Sequence, residues 1–222
     1  MNAPQTSLHG WALILGASSG FGEATSLALA RRGLHVFGVH MDRKATLANV
    51  ERIAGEIRGL GREAVFFNVN AADVEKRQEV LDQMTRLLAD RGEPSAVTVL
   101  LHSLAFGALR PYVAEDPKDA ISQSQLEMTL DVMANSLVYW TQDLVRRRLM
   151  GPGGKIFAMT SSGGNHVWPT YGAVSAAKAA LEAHVRQLSY ELEQLTGPVK
   201  GYAIYAKLGC VVMTTKRPVR LL

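Results

Sequence analysis

Tyr171 and Lys178 are the residues whose types and spacing first suggest chemistry, in the run Tyr-Gly-Ala-Val-Ser-Ala-Ala-Lys from 171 to 178. That run and the Ala-Ala-Leu-Glu-Ala after it are built of strong helix formers. Pro169 lies just ahead, where a proline is tolerated at a helix start. Residues seven apart are almost two turns apart, so the spacing predicts that both side chains share one face. Helical side chains lean toward the N-terminus, which brings the Lys178 stem toward the Tyr171 ring. An ammonium beside a phenol favours the phenolate. Such a pair suits proton donation to an oxyanion that develops during a reaction. A Tyr and a Lys at this spacing are more often ordinary surface residues, so the rest of the chain has to supply the context.

The context begins with Trp11-Ala-Leu-Ile-Leu15, a short apolar run that predicts a strand. Gly16-Ala-Ser18-Ser19-Gly20-Phe21-Gly22 follows, then an amphipathic stretch from Glu23 to Arg32 closed by Gly33. Strand, glycine-rich turn and helix in this order is the setting in which such a turn is informative. Glycines let the backbone approach a pyrophosphate, and a helix N-terminus offers free N–H groups and a positive dipole end. The spacing is G-x-x-x-G-x-G rather than G-x-G-x-x-G. The plain alternative is a tight strand-to-helix turn with no ligand.

A second strand is expected at His35–Val39, and His40 takes the place where NAD-selecting strands often carry an acid for the adenosine ribose. The missing acid, with Arg43 and Lys44 close behind, favours a 2′-phosphate and hence NADPH over NADH. Asp42 works against that inference, since it could itself reach the ribose. Further helices are expected at about 46–60 and 73–90. The third strand, 63–67, runs into Asn68-Val69-Asn70, where polar side chains could edge the adenine. The fourth strand, 96–101, delivers His102-Ser103-Leu104-Ala105 to the carboxyl edge, where open α/β sheets bind ligands. His102 reads more readily as a structural residue than as an acid-base group. The polar segment 108–124 is expected to be a loop bordering the site. A long helix at about 126–150 ends in Arg146-Arg147-Arg148, cations that complement its negative dipole end. The fifth strand, 155–160, brings Ser161 and Ser162 to the same edge. The helix bearing Tyr171 and Lys178 runs to about Leu195, Gly197-Pro198 breaks it, and a sixth strand spans 199–206. After that no clear helix and no complete βα unit is expected.

Strands alternating with helices predict one Rossmann-type doubly wound parallel sheet in three layers, strand order 3-2-1-4-5-6, as a single domain over residues 1–222. Apolar residues on several faces of the two longest helices, Leu137, Val138, Tyr139, Trp140 and Leu144 among them, predict a subunit interface. The 222 residues carry a net charge of +4. That balance gives no case for a nucleic-acid partner and is compatible with an anionic cofactor or an acidic partner. The single Cys210 and the lack of any CxxC pair leave no disulfide or metal framework. The N-terminus lacks a secretory pattern and no apolar run is long enough to span a membrane, so a soluble cytoplasmic protein is expected.

Gly16-x-x-x-Gly20-x-Gly22, the serine-bearing fifth strand and the Tyr/Lys helix together resemble the short-chain dehydrogenase/reductase family, from about Trp11 to Ala206. Most ketoreductases of that family have Tyr-x3-Lys, but here Ser175 stands four residues after Tyr171. Tyr-x6-Lys resembles the divergent branch, the enoyl-acyl-carrier-protein reductases of bacterial fatty acid synthesis. His102-Ser103-Leu104-Ala105 is similar to that branch's own segment in place of Asn-Asn-Ala-Gly. The family's proton-relay asparagine would align with Met133, and Asn135 lies about 200° round an α-helix from it. Ser161 stands where many members of the branch carry a second tyrosine, as in the NADPH-dependent, ketoreductase-like subgroup. After Ala206 the family's Gly-rich segment and nicotinamide-contacting threonine have no clear counterpart. Residues 207–222 are therefore expected to be a diverged or truncated tail without the usual seventh strand.

The resemblance implies reduction of the double bond in an enoyl thioester carried by acyl carrier protein or coenzyme A. Tyr171, Lys178 and Ser161 would be catalytic, no metal is involved, and NADPH would be held by Gly16 to Gly22, His40, Arg43, Asn68, Val69, Ser103 to Ala105 and Lys178. It also implies a homotetramer. Two alternatives stay open: a carbonyl reductase of the same fold, and a dinucleotide-binding protein without turnover.

Overall fold

The computed structural model describes residues 8–93, 96–196, 203–208 and 211–214. The Gly197-Pro198 break, residues 199–202 of the expected sixth strand, Cys210 and the last eight residues lie outside the described residues. The chain divides into two compact units, residues 1–103 with 142–154, and residues 104–141 with 155–222.

In the first unit four parallel strands run in the order β3-β2-β1-β4. They are β1 (Trp11–Leu15), β2 (His35–His40), β3 (Ala64–Asn68) and β4 (Val97–His102). All five residues of β1 are buried, as a parallel strand covered on both faces requires. The connecting helices are α1 (Gly20–Arg31), α2 (Leu47–Gly59) and α3 (Val74–Asp90). On α3 Val80, Leu81, Met84 and Leu88 are buried, while Leu87 is only half-buried. Asp73 caps that helix by accepting a hydrogen bond from the Lys76 amide at 3.0 Å. Helix α1 starts three residues earlier than expected, inside the glycine motif.

The second unit holds β5 (Lys155–Thr160), β6 (Ala203–Leu208) and β7 (Val211–Thr214), in the order β5-β6-β7. β6 is parallel to β5, and the two halves of the expected order, 3-2-1-4 and 5-6, each hold. β7 pairs antiparallel with β6 two residues after it. Among the described residues the tail therefore adds a strand but no further βα unit.

Residues 103–122 form no helix or strand, as expected of the loop. The long helix then starts three residues before the expected Leu126. Ser122 and Gln125 form a reciprocal capping box at the start of α4 (Gln123–Leu130). It continues through a π-helical segment (Asp131–Asn135) into α5 (Ser136–Arg146). The final helix, α6 (Gly172–Thr196), spans 25 residues. Leu137, Trp140 and Leu144 are buried within the chain itself. Three of the five residues behind the interface expectation are thus already covered, and Val138 and Tyr139 remain half-buried. Among the described residues no helix is long and apolar enough to cross a membrane.

Candidate active site

In the first unit the glycine motif forms a turn stitched to β2. The Gly16 and Ala17 amides both donate to the Val39 carbonyl, at 2.8 and 3.0 Å. Gly16 and Gly20 adopt φ of +87° and +54°, a region that favours glycine. Gly22 is required for a different reason: a Cβ there would lie 1.8 Å from the Gly16 carbonyl oxygen. Ser19 occupies the N-cap of α1 in extended conformation and its side chain makes no capping bond. Ser19, Gly20 and Phe21 are exposed. The first turn of α1 thus presents N–H groups that no side chain satisfies, at the positive end of the helix dipole. A helix end of this kind has the N–H groups and the dipole that an anion such as a pyrophosphate needs. Gly22→Ala is expected to lower dinucleotide affinity at least about tenfold and to destabilise the fold by roughly 2–4 kcal/mol. Calorimetric titration with NADPH and thermal unfolding check it.

Sequence reasoning missed Asn49 of α2, whose side chain donates to the Ser18 carbonyl at 2.7 Å and to Glu23 at 3.2 Å. A polar residue one turn into an outer helix gives no sequence signal for that role. The end of β2 also differs from expectation. His40 is 4% exposed, and its Nδ1 lies 3.0 Å from Asp42 Oδ2. Burial holds its pKa below the usual histidine value, although Asp42 pulls the other way. His40 is therefore a neutral buried ring at pH 7 and no cation for a phosphate. Burial would raise the Asp42 pKa, but hydrogen bonds from Ser18, Thr46 and His40 outweigh it and keep the group below the usual carboxylate range. An ionised acid thus stands two residues beyond the position read as lacking one. Asn68 was expected to edge the adenine. Its carboxamide instead accepts from the Asp42 amide at 2.9 Å and donates to the Asp42 carbonyl at 3.0 Å. Its first role is to fix that strand end. The Val69 amide donates to the His40 carbonyl at 2.8 Å. Arg43 and Lys44 are exposed. The Ser103 amide donates to the Leu15 carbonyl at 2.8 Å, which extends β4 past its last residue.

In the second unit Tyr171 precedes the first residue of α6, and its carbonyl accepts the Ser175 amide at 2.8 Å. The tyrosine is therefore the residue on which the helix starts, not a member of its first turn. Its hydroxyl donates to Ser161 Oγ at 3.4 Å. The ring lies against Gly163, where a Cβ would come within 2.4 Å of it, and tilts against Trp168 at 5.2 Å between centroids. Lys178 is 5% exposed, and its Nζ donates to the Met159 carbonyl at 2.7 Å and to the Leu104 carbonyl at 3.4 Å. The phenol and the ammonium are thus anchored by different partners. Burial pushes the Lys178 pKa down to about 8. Ala105 is exposed beside Leu104. A cavity of about 440 Å³ opens at Tyr171, walled by Tyr112, Trp168, Val167, Pro111 and Arg110. No motif or spacing pointed to Tyr112, which approaches because Gly172 has no Cβ; one there would lie 2.6 Å from the ring.

Met133 is 2% exposed and packs on Gly107, where a Cβ would lie 2.8 Å from its sulfur. The segment that carries it is π-helical, so the 200° offset expected for Asn135 on an α-helix does not apply. Asn135 Oδ1 accepts a hydrogen bond from His184 Nε2 at 3.1 Å, and Asn135 Nδ2 donates to Asp131 Oδ1 at 3.4 Å.

The profile of the family described as Enoyl-(Acyl carrier protein) reductase matches residues 16–197. The chain belongs to the short-chain dehydrogenase/reductase family. Within it, the matched region is an enoyl-reductase-like domain. The chain is 27% identical over 191 residues to an NADPH-dependent aldehyde reductase-like chloroplastic protein of Arabidopsis thaliana, covering 82% of this chain and 66% of that protein. It is 30% identical over 179 residues to a 1-cyclohexenylcarbonyl-CoA reductase of Streptomyces collinus, covering 81% of this chain and 58% of that one. The chain thus spans less than two thirds of the length of these relatives. A solved carveol dehydrogenase of Mycobacterium avium in complex with NAD has the same fold: TM-score 0.72 at 19% identity, over 92% of this chain and 71% of that chain. The Arabidopsis and Streptomyces relatives are both named as reductases, and the Mycobacterium structure is a complex with NAD.

Proposed function

We propose that this short-chain dehydrogenase/reductase is a cytoplasmic enoyl-thioester reductase that acts on trans-2-enoyl groups carried by acyl carrier protein or coenzyme A, in fatty acid synthesis. The observation that carries the reading over carbonyl reduction is the state of Met133 and Asn135. The position expected to hold a proton-relay asparagine is a buried methionine. The nearest asparagine is bonded to His184 and Asp131. The name of the Streptomyces relative, a reductase of an unsaturated acyl-CoA, supports the same reading.

A nicotinamide dinucleotide would supply hydride to the β-carbon, with Lys178 assigned to its nicotinamide ribose. Charge then builds on the thioester oxygen, and only the transition state carries it. Tyr171 donates a hydrogen bond to that oxygen from the wall of the cavity. For that the phenol proton leaves Ser161, and the Ser161 hydroxyl, 3.4 Å away, turns to donate to the phenol oxygen. The α-carbon of the enolate then takes a proton from solvent water, which completes the reduction. We take the working form to be a homotetramer in which the half-buried Val138 and Tyr139 meet a partner subunit.

NADPH is the assigned cofactor because Arg43 and Lys44 are exposed at the end of β2. Asp42, ionised beside them, opposes a 2′-phosphate. Arg43→Ala is expected to weaken NADPH binding by about tenfold and NADH binding little, and Asp42→Asn to tighten NADPH alone. Titration of both cofactors checks this; equal losses, or tighter NADH binding by the parent, would overturn the preference.

The Arabidopsis relative's name keeps carbonyl reduction as the second reading. NADPH oxidation with crotonyl thioester beside acetoacetyl thioester separates the two. The proposal expects the enoyl substrate to be turned over faster by at least about tenfold. The reverse order selects a carbonyl reductase. Dinucleotide binding with no turnover of either selects a non-catalytic protein.

A further inference from the structure

We propose that Thr170 is a positioning residue for Tyr171, holding the tyrosine backbone through a turn that it occupies under strain. The inference rests on the reading of Tyr171 as the hydrogen-bond donor to the substrate oxygen.

Residues Trp168 to Tyr171 form a tight turn closed by the Tyr171 amide donating to the Trp168 carbonyl at 3.2 Å. Pro169 stands second, where its ring fixes a negative φ. Thr170 stands third with φ +62°. A negative φ followed by a positive one defines a type II turn, whose third position belongs by preference to glycine. Threonine is branched at Cβ, and for such a residue a positive φ is a real outlier. Arg148 is the other non-glycine residue with positive φ among the described residues. It follows the end of α5 closely, where left-handed conformations are common. Thr170 precedes a helix and has no such reason.

Nor does packing explain the choice. Thr170 is exposed, and its hydroxyl donates only within the turn, to the Pro169 carbonyl at 2.7 Å. Yet it lines the cavity at Tyr171 and is bonded directly to it in the chain. The Tyr171 ring is held by Gly163, Trp168 and Ser161. Its backbone is set by this turn on one side and by the Ser175 amide, at 2.8 Å, on the other. Glycine in the left-handed region explores a wide range of φ and ψ. A threonine confined there has a narrow well, because both branches of its side chain restrict it. The strained residue therefore fixes where the phenol is rooted, and strain kept at such a place is a known device of working sites.

The test uses Thr170→Gly and Thr170→Asn in the full chain, with asparagine chosen because it tolerates the left-handed region. Three quantities are read: the melting temperature, amide hydrogen exchange at Tyr171 and Ser175, and kcat and KM with crotonyl thioester and NADPH. For Thr170→Gly the melting temperature is expected not to fall, exchange at the two amides to rise by about tenfold, and kcat to drop by about tenfold with KM for NADPH unchanged. Thr170→Asn should keep exchange and kcat within about threefold of the parent. Parent-like exchange in Thr170→Gly would overturn the inference, and so would a lowered melting temperature. If the parent reduces no enoyl thioester, that result removes the functional reading alone, and the exchange measurement still decides the role of Thr170.

Discussion

Replacing Tyr171 by phenylalanine is expected to lower enoyl-thioester turnover by about a hundredfold or more, the scale for losing one oxyanion donor. The ring contacts should survive, because phenylalanine keeps the same ring over Gly163 and beside Trp168. Only the hydroxyl and its bond to Ser161 are lost. Melting temperature and NADPH affinity should therefore stay close to the parent's while kcat falls. A single-turnover assay with crotonyl thioester, run beside a cofactor titration, separates these quantities. Near-normal turnover by Tyr171→Phe would take the phenol out of the chemistry and move weight to the non-catalytic reading.

Lys178→Met is expected to abolish most turnover, weaken dinucleotide binding and yet stabilise the folded chain. The ammonium is buried, and burial has pushed its pKa down to about 8 from 10.5. Between those values the unfolded chain binds more protons than the folded one, so stability rises with pH across that window. Below about 8 the folded state bears the full cost of the buried charge. A methionine of similar length removes that cost, offset in part by the hydrogen bonds lost at Met159 and Leu104. The net gain at pH 7 should be roughly 1–3 kcal/mol. Denaturant unfolding at pH 7 and pH 10 checks the sign: the advantage of Lys178→Met must shrink at the higher pH. A variant less stable than the parent at pH 7 would mean that the carbonyl bonds outweigh the desolvation. In the parent, NADPH affinity should decline above pH 8 as Lys178 loses its proton. A bound ribose that accepts from the ammonium would move this limb upward.

Much of the fold was legible because it rests on local patterns. The apolar runs of β1 and β5 and the buried face of α3 follow directly from side-chain spacing. The Gly16–Gly22 turn was legible for the same reason, since its glycines answer a need of the backbone itself. The end of β2 was not. A histidine at the strand terminus was read as replacing an acid, whereas His40 is buried and Asp42 reaches the turn residue Ser18 from two positions further on. Which side chain is inside and which outside at the last residue of a strand depends on the neighbours packed over it, here Phe66 and Asn68. The π-helical segment carrying Met133 was equally hidden, because one extra residue in a turn leaves no mark in apolar periodicity. The cavity at Tyr171 depends on residues far apart in sequence, with Tyr112 reaching the start of α6. Spacing within one helix located Tyr171 and Lys178 but assigned them to each other. The structure bonds the phenol to Ser161 and the ammonium to two backbone carbonyls.

The central claim is that hydride is delivered to the β-carbon of an enoyl thioester. The most direct test supplies NADPH deuterated at the nicotinamide C4, in each of its two stereochemical forms, with crotonyl thioester, and locates the label in the product by NMR. The account predicts butyryl thioester with deuterium at the β-carbon from one form of the cofactor and none from the other. Unlabelled butyryl product from both forms, or no reduction of crotonyl thioester while acetoacetyl thioester acquires deuterium at its keto carbon, would contradict it.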